Sequence, residues 1–188
     1  MESLKKLVLI PWDFSEGAEN ALQHAIQLAE AGGNEIMLLH FIPRSAIQDF
    51  LTRKVNIKEI EAANKKFEEV AEATFQKYGV RPQTLVLEGH PKRIIRELIT
   101  TANVNLIVAY HTYMYKGKSY RPSTLLKDLI FKDITLPFII INTPPRHTHY
   151  IEIVIPVDYD RKFKEAVHWI IYLAKYYKCN INIIKPFL

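Results

Sequence analysis

Apolar and polar positions along this chain follow two periods, one typical of buried strands and one typical of amphipathic helices. Leu7–Ile10 is a continuous apolar run closed by Pro11, as expected of a strand buried on both faces. Apolar residues then recur at helical spacing up to Gly32-Gly33, and a second apolar run covers Ile36–Ile42. This order predicts a βαβ unit with parallel strands and a right-handed crossover.

The same alternation of strand and helix patterns continues through the next hundred residues. The longest predicted helix, Lys58–Tyr78, has one apolar stripe, and its charged residues fall on the opposite, solvated face. The stripe of the longest helix includes Phe67 and Phe75. The predicted elements are a helix over Lys58–Tyr78, a strand over Gln83–Leu87, a helix from Pro91, a strand over Asn105–Ala109, a helix that Ser123 could cap, and a strand over Pro137–Asn142.

The opening pattern recurs near the C-terminus. Asp158 matches Asp13, and the other matched pairs share the same offset of 145 positions without a gap, which indicates a duplication. We therefore predict a complete domain over residues 1–142, a proline-containing linker over 143–150 and a partial β-α-β second copy over 151–188. One βαβ unit cannot bury both faces of its strands. The second copy is therefore expected to pack on the first domain, exchange with another chain or belong to a longer protein.

Composition narrows the class of protein. The 188 residues are 48% hydrophobic, but no apolar run approaches the roughly 20 residues needed to cross a bilayer, so no membrane association is expected. The single cysteine, Cys179, excludes an intramolecular disulfide and predicts a buried thiol in a reducing, cytoplasmic compartment. The net charge of +5 is modest and no nucleic-acid-binding motif is present, so nucleic acid is not the expected partner.

Candidate chemistry lies in the segments that follow the predicted strands. The carboxylate of Asp13 could contact a ligand or cap the turn that follows. The aromatic and basic segment Tyr110–Pro122 could supply a side-chain anion site, or form a solvated or partner-covered loop with its tyrosines packed on the sheet edge. His147 and His149 are too few for a metal site. No catalytic triad, carboxylate pair or Walker loop is present, so neither enzymatic activity nor a metal is expected.

Five segments together resemble the universal stress protein family: VLIPWDFSEGAENAL, LLHFI, EGHPKRII, NLIVA and LPFIIIN. The resemblance covers Leu4–Asn142 as one domain and Ile151–Leu188 as the start of a second, as in tandem members. It implies an open, Rossmann-like parallel sheet of five strands in the order 3-2-1-4-5, with helices on both faces and an extra C-terminal βαβ unit. In that order the loops after Ile10 and Ala109 open onto one crevice.

Many members of that family bind ATP in this crevice. Three glycine positions of their phosphate loop are Tyr110, Tyr113 and Ser123 here, and only the final hydroxyl residue matches, as Thr124. Because a tyrosine ring blocks the approach of backbone N–H groups to a phosphate, we predict that ATP binding is lost or weakened. No cofactor is therefore expected, with ATP as the alternative. The binding positions that the resemblance implies are Pro11, Asp13, Phe41, Ala109, Tyr110, Tyr113, Ser123 and Thr124.

The predicted function is therefore that of a non-enzymatic stress-response module acting through dimerisation or protein association. The strand Pro137–Asn142 is apolar on both faces and lies at the sheet edge. Such an edge favours pairing with an equivalent strand, in a homodimer or in a tandem pseudo-dimer. The alternative is a nucleotide- or anion-binding sensor, with or without weak ATPase activity.

Overall fold

A computed structural model describes residues 6–44, 55–121, 136–147, 151–156, 167, 170, 171, 174 and 178–184. The chain divides into two compact units, Met1–Pro144 and Pro145–Leu188. No helix in the described part of the chain is long and apolar enough to span a membrane. In chain order, the described elements of the first unit are β1 (Leu7–Pro11), α1 (Glu16–Gly32), β2 (Glu35–Pro43), α2 (Ile57–Tyr78), β3 (Gln83–Gly89), α3 (Pro91–Thr101), β4 (Val104–Tyr110), β5 (Tyr113–Tyr115), β6 (Lys118–Tyr120) and β7 (Phe138–Ile141).

A parallel sheet of five strands forms the core of the first unit. Its order is β3-β2-β1-β4-β7, which confirms the predicted arrangement, with β7 in the place of the fifth strand. Strand β1 is buried along its whole length because it lies in the middle of the sheet between β2 and β4. Leu7 pairs with Glu35 on one side and with Val104 on the other. The strand order therefore reverses between β1 and β4, as predicted.

Helix α1 begins at Glu16 and ends at the predicted glycine pair. The hydroxyl oxygen of Ser15 accepts a hydrogen bond from the N–H of Ala18 at 3.2 Å and caps the first turn. Gly33 ends the helix in the left-handed region, with φ of 64°. The prediction for α2 is wrong at one position, because Phe75 in its last turn is 46% exposed whereas Phe67 is buried.

The segment after β4, for which we predicted an anion site or a solvated or partner-covered loop, contains two short strands. Strands β5 and β6 pair antiparallel, with Tyr113 opposite Tyr120. Lys116 and Gly117 connect them with φ of 46° and 75°, the two positive values that a tight two-residue hairpin turn requires. We refer to Tyr113–Tyr120 as the hairpin.

The second unit contains a parallel pair of strands, β8 (Glu152–Pro156) and β9 (Asn180–Ile184). Glu152 pairs with Asn180, which is the pairing of Leu7 with Glu35 shifted by 145 positions. The internal repeat in the sequence is thus matched by the same strand register. Cys179 is only half-buried, contrary to the expectation of a buried thiol. The predicted counterpart of Asp13, Asp158, lies outside the described residues.

Candidate functional site

The crevice lies at the carboxyl ends of β1 and β4. The N–H of Trp12 donates the last sheet-type hydrogen bond from this end of β1, to the carbonyl oxygen of Leu39 at 2.7 Å, and β2 continues to Pro43. Backbone groups of alternate strand residues point to the same side, so Phe41 directs its N–H and C=O toward the space beyond the end of β1. These two groups need a partner that the sheet does not supply.

Tyr113 supplies that partner. Its hydroxyl group donates a hydrogen bond to the carbonyl oxygen of Phe41 at 2.9 Å and accepts one from the N–H of Phe41 at 3.1 Å. The two rings stack, with centroids 3.8 Å apart and an interplanar angle of 12°. The Tyr113 side chain is 1% exposed. Burial raises the pKa of this phenol far above its usual value, so the hydroxyl keeps its proton and can donate.

His40 completes this buried group. Its Nδ1 atom lies 2.8 Å from the carbonyl oxygen of Trp12 and 3.0 Å from the hydroxyl oxygen of Tyr113. A carbonyl oxygen can only accept a hydrogen bond. Nδ1 therefore carries a proton and donates a hydrogen bond to the carbonyl oxygen of Trp12. Burial lowers the pKa of His40, and the hydrogen bond to Trp12 offsets only part of that effect. His40 is therefore a buried, hydrogen-bonded core residue.

Both carboxylate oxygens of Asp13 are bonded within the chain. Oδ1 accepts hydrogen bonds from the backbone N–H of Ser15, at 3.0 Å, and from the Ser15 hydroxyl group. Oδ2 accepts a hydrogen bond from the backbone N–H of Met114 at 2.7 Å. Asp13 therefore stabilises the turn before α1, one of its two predicted roles. It also holds the hairpin on the crevice, a contact that the sequence does not reveal.

A third set of contacts joins the hairpin to helix α2. The Tyr115 hydroxyl group donates a hydrogen bond to Oε1 of Glu59 at 2.5 Å, and Nζ of Lys116 lies 2.7 Å from the same oxygen. Burial, together with the hydrogen bond to Glu59, raises the pKa of Tyr115 to about 12. Burial also raises the pKa of Glu59, but the hydrogen bonds from Lys116 and Tyr115 outweigh it, so the net shift is downward.

Tyr110 lies over the first turn of α1. A Cβ atom added to Gly17 would be 2.2 Å from Cδ1 of the Tyr110 ring, so only glycine fits there. The ring thus covers backbone at the helix N-terminus, the kind of surface on which anions bind in other proteins. A tyrosine ring at this position obstructs the approach of a ligand to that backbone, as the sequence predicts of tyrosine here.

An open cleft of about 550 Å³ remains beside Tyr110. Among the described residues, no lysine or arginine lines the cleft, and Glu16 adds a carboxylate. The basic side chains of the hairpin therefore do not assemble the predicted anion site in this cleft, and Lys116 is paired with Glu59 instead. The described lining residues are Ser15, Glu16, Gly17, Asn20, Tyr110, His111, Thr112, Met114, Asn142, Thr143 and Pro144.

Six of the eight predicted binding positions lie in or next to the crevice. Ser123 and Thr124 lie outside the described residues. Within the described ranges, no group of three or more possible metal ligands occurs. The positions that the fold brings together are Pro11, Asp13, Phe41, Ala109, Tyr110 and Tyr113.

Comparison with known proteins gives one family and a set of similar folds. The model of the universal stress protein family matches residues 5–116. No curated protein matches the chain. The universal stress protein UspA from Lactobacillus plantarum is 16% identical, with 75% of this chain and 100% of that chain covered and a TM-score of 0.55.

Two structures from Archaeoglobus fulgidus extend this comparison. A universal stress protein from strain DSM 4304 is 19% identical, with 97% of this chain and 67% of that chain covered and a TM-score of 0.67. A universal stress protein in complex with dAMP is also 19% identical, with 73% and 98% covered and a TM-score of 0.51. At such low identity these structures establish a shared fold.

Proposed function

This chain belongs to the universal stress protein family, and we propose that it is a regulatory module that acts through protein association rather than catalysis. In this proposal the chain's own hairpin occupies the crevice in which a nucleotide would bind. The observation that carries the proposal is the pairing of Tyr113 with both backbone groups of Phe41. The dAMP complex of a protein with the same fold makes adenine nucleotides the ligand class to consider.

A nucleotide would have to displace contacts that the hairpin already makes. Two hydrogen bonds to Phe41, the bond from Met114 to the Asp13 carboxylate and a buried stacked ring would be lost together. Their loss costs on the order of 4 kcal/mol, which weakens a dissociation constant roughly a thousandfold. Tyr110 over Gly17 adds a steric obstacle at the start of α1. These contacts support weak or absent nucleotide binding.

Strand β7 supports the association part of the proposal. The carbonyl oxygens of Pro137 and Ile141 accept hydrogen bonds from Ile107 in β4 and from His111, the residue after β4. Backbone groups alternate in direction along a strand, so Ile140, next to Ile141, directs its N–H and C=O away from β4. On that side of β7 no other strand of the described part of the chain is paired. An edge of this kind can pair with β7 of a second copy in a homodimer, or with an equivalent strand in a tandem pseudo-dimer.

Light scattering of the purified chain tests the association. We expect a dimer, and we expect Ile140→Pro to be monomeric because proline removes an outward N–H from the edge. Ile140→Val keeps that N–H and should remain dimeric. A monomer at high concentration for the unchanged chain would contradict the homodimer.

A nucleotide- or anion-binding sensor is the second candidate. The open cleft beside Tyr110 favours it, because Ser15 and Asn20 line that cleft near the N-terminal end of α1. Nucleotide that copurifies with the chain, read from the absorbance ratio and released by acid, would support the sensor. A nucleotide-free preparation would support the association module.

A further inference from the structure

We propose that the open cleft beside Tyr110 is a site for a guanidinium group, supplied by an arginine side chain on the surface of a partner protein. The proposal rests on the proposed function in one respect, because association with protein makes a protein side chain the occupant. The site involves neither strand β7 nor the pairing of Tyr113 with Phe41.

The charges around the cleft favour a cation. Glu16 contributes a carboxylate to the lining, which contains no lysine or arginine among the residues that the structure describes. The carboxylate of Asp13 lies directly behind the wall, because it accepts hydrogen bonds from the backbone N–H groups of two lining residues, Ser15 and Met114. Two full negative charges outweigh the N-terminal dipole of α1, which is equivalent to about half a positive charge. This balance favours a cation over the anionic ligand of the second candidate function.

Two aromatic rings favour a flat cation. Tyr110 and His111 both line the cleft, with ring centroids 4.2 Å apart and an interplanar angle of 52°. A guanidinium group is planar and weakly hydrated, so it stacks on aromatic rings and also pairs side by side with a carboxylate. An ammonium group is compact and strongly hydrated and cannot stack. Rings beside the Glu16 carboxylate therefore suit arginine better than lysine.

The remaining polar groups of the cleft can accept the other guanidinium hydrogens. A guanidinium group has five N–H donors and no acceptor, so a site for it must be rich in oxygen atoms. The lining residues Asn20, Thr112 and Asn142 supply side-chain oxygens in addition to the carboxylate of Glu16. The volume of about 550 Å³ lies within the range of about 300–1,000 Å³ that is usual for ligand sites. Because the cleft is open, a side chain on the surface of another protein can enter it.

A titration of the isotopically labelled chain with the capped peptide acetyl-Gly-Arg-Gly-amide, followed by NMR, tests this proposal. We expect saturable shifts of the Gly17 and His111 amide signals, with a dissociation constant of about 1 mM. The same peptide with citrulline in place of arginine keeps the shape but not the charge, and it should bind at least about tenfold more weakly. The lysine peptide keeps the charge but not the plane, and it should bind at least about threefold more weakly.

Two pairs of variants assign the binding to this cleft. Glu16→Gln should weaken binding of the arginine peptide at least about fivefold, because it removes the carboxylate. The matched control is Glu19→Gln, which changes an exposed acidic residue of the same helical turn that does not line the cleft, and it should leave the affinity unchanged. Tyr110→Phe retains the ring and should retain the affinity, whereas Tyr110→Leu should lower it at least about twofold.

Several results would overturn the guanidinium site. They are equal affinity for the arginine and citrulline peptides, unchanged affinity in Glu16→Gln, and saturable shifts of the same amides with inorganic phosphate. The absence of saturable shifts up to about 10 mM arginine peptide would also overturn it.

Light scattering distinguishes this failure from a failure of the proposed homodimer. Glu16 is not part of β7, so Glu16→Gln should have the same oligomeric state as the unchanged chain. A monomeric chain that binds the arginine peptide would refute the homodimer and support the guanidinium site. A dimeric chain that does not bind the peptide would refute the guanidinium site and support the homodimer.

Discussion

The carboxylate of Asp13 accepts a hydrogen bond from the backbone N–H of Met114 at 2.7 Å, across 101 positions of sequence. The same carboxylate accepts a second bond from the N–H of Ser15. Asp13 thus joins the loop after β1 to the hairpin after β4, the two segments that border the crevice. The acidic residue that the sequence offers as a ligand contact or a turn cap thus also holds the hairpin at the crevice.

Asp13→Ala should destabilise the chain and loosen the hairpin. The substitution leaves the N–H groups of Ser15 and Met114 without their acceptor, which we expect to lower the free energy of unfolding by about 1–3 kcal/mol. Urea denaturation measures this loss, and hydrogen exchange at the Met114 amide should become faster. Asp13→Asn retains one acceptor oxygen and should lose less. A stability equal to that of the unchanged chain would contradict the role of Asp13 in connecting the loop after β1 to the hairpin.

Gly17→Ala should also destabilise the chain, although alanine is the better helix former. Helix propensity alone predicts a gain of about 1 kcal/mol. The added Cβ would meet the Tyr110 ring at 2.2 Å, and overpacking of this kind costs about 1–3 kcal/mol.

The sign of the change in the free energy of unfolding, measured by urea denaturation, therefore shows whether helix propensity or the clash with Tyr110 dominates at Gly17. Tyr110→Ala combined with Gly17→Ala should recover most of the loss, since the clash needs both side chains. A stabilising Gly17→Ala in the unchanged background would show that Tyr110 does not lie over the helix.

His40 should make folding less favourable in mild acid. Burial lowers its pKa below the ordinary value of 6.5, so the unfolded chain binds more protons as the pH falls through that range. The free energy of unfolding should therefore decrease as the pH drops below about 6.5. His40→Asn can keep a donor to the Trp12 carbonyl but does not titrate, and its stability should fall less steeply. Parallel pH profiles for the two chains would contradict this assignment.

Glu59→Gln should release one end of the hairpin with little effect on global stability. Lys116 is 65% exposed, and solvent screens its ion pair with Glu59. The expected result is faster hydrogen exchange at the amides of Tyr115 and Lys116, with an unfolding midpoint close to that of the unchanged chain. Glu61→Gln, at an exposed position two residues further along α2, is the control and should leave both measurements unchanged. Equal hydrogen exchange in the two variants would refute the role of Glu59 in holding the hairpin on α2.

Local patterns predict the sheet because strands and helices each have a characteristic spacing of apolar residues. The apolar run of β1 depends on neighbours within a few residues, and its prediction as a buried strand is confirmed. The cap that Ser15 forms on α1 is an equally local contact. Periodicity identifies the buried face of α2. It does not show how far along the helix the neighbouring elements cover that face. For that reason Phe75 was placed inside incorrectly.

The hairpin contacts could not be predicted in this way. Tyr113 meets Phe41 across 72 positions, and no local spacing encodes that distance. One signal for the hairpin was present, because Lys116-Gly117 between two short alternating segments is typical of a two-residue turn. The sequence therefore places tyrosine in the crevice, whereas its pairing with the backbone of Phe41 required the three-dimensional structure.

Isothermal titration of the unchanged full chain with Mg-ATP tests the central claim most directly. If Tyr113, Met114 and Tyr110 occupy the groups that a nucleotide would need, no saturable heat should appear up to about 1 mM ATP. Saturable binding with a low-micromolar dissociation constant would contradict the account.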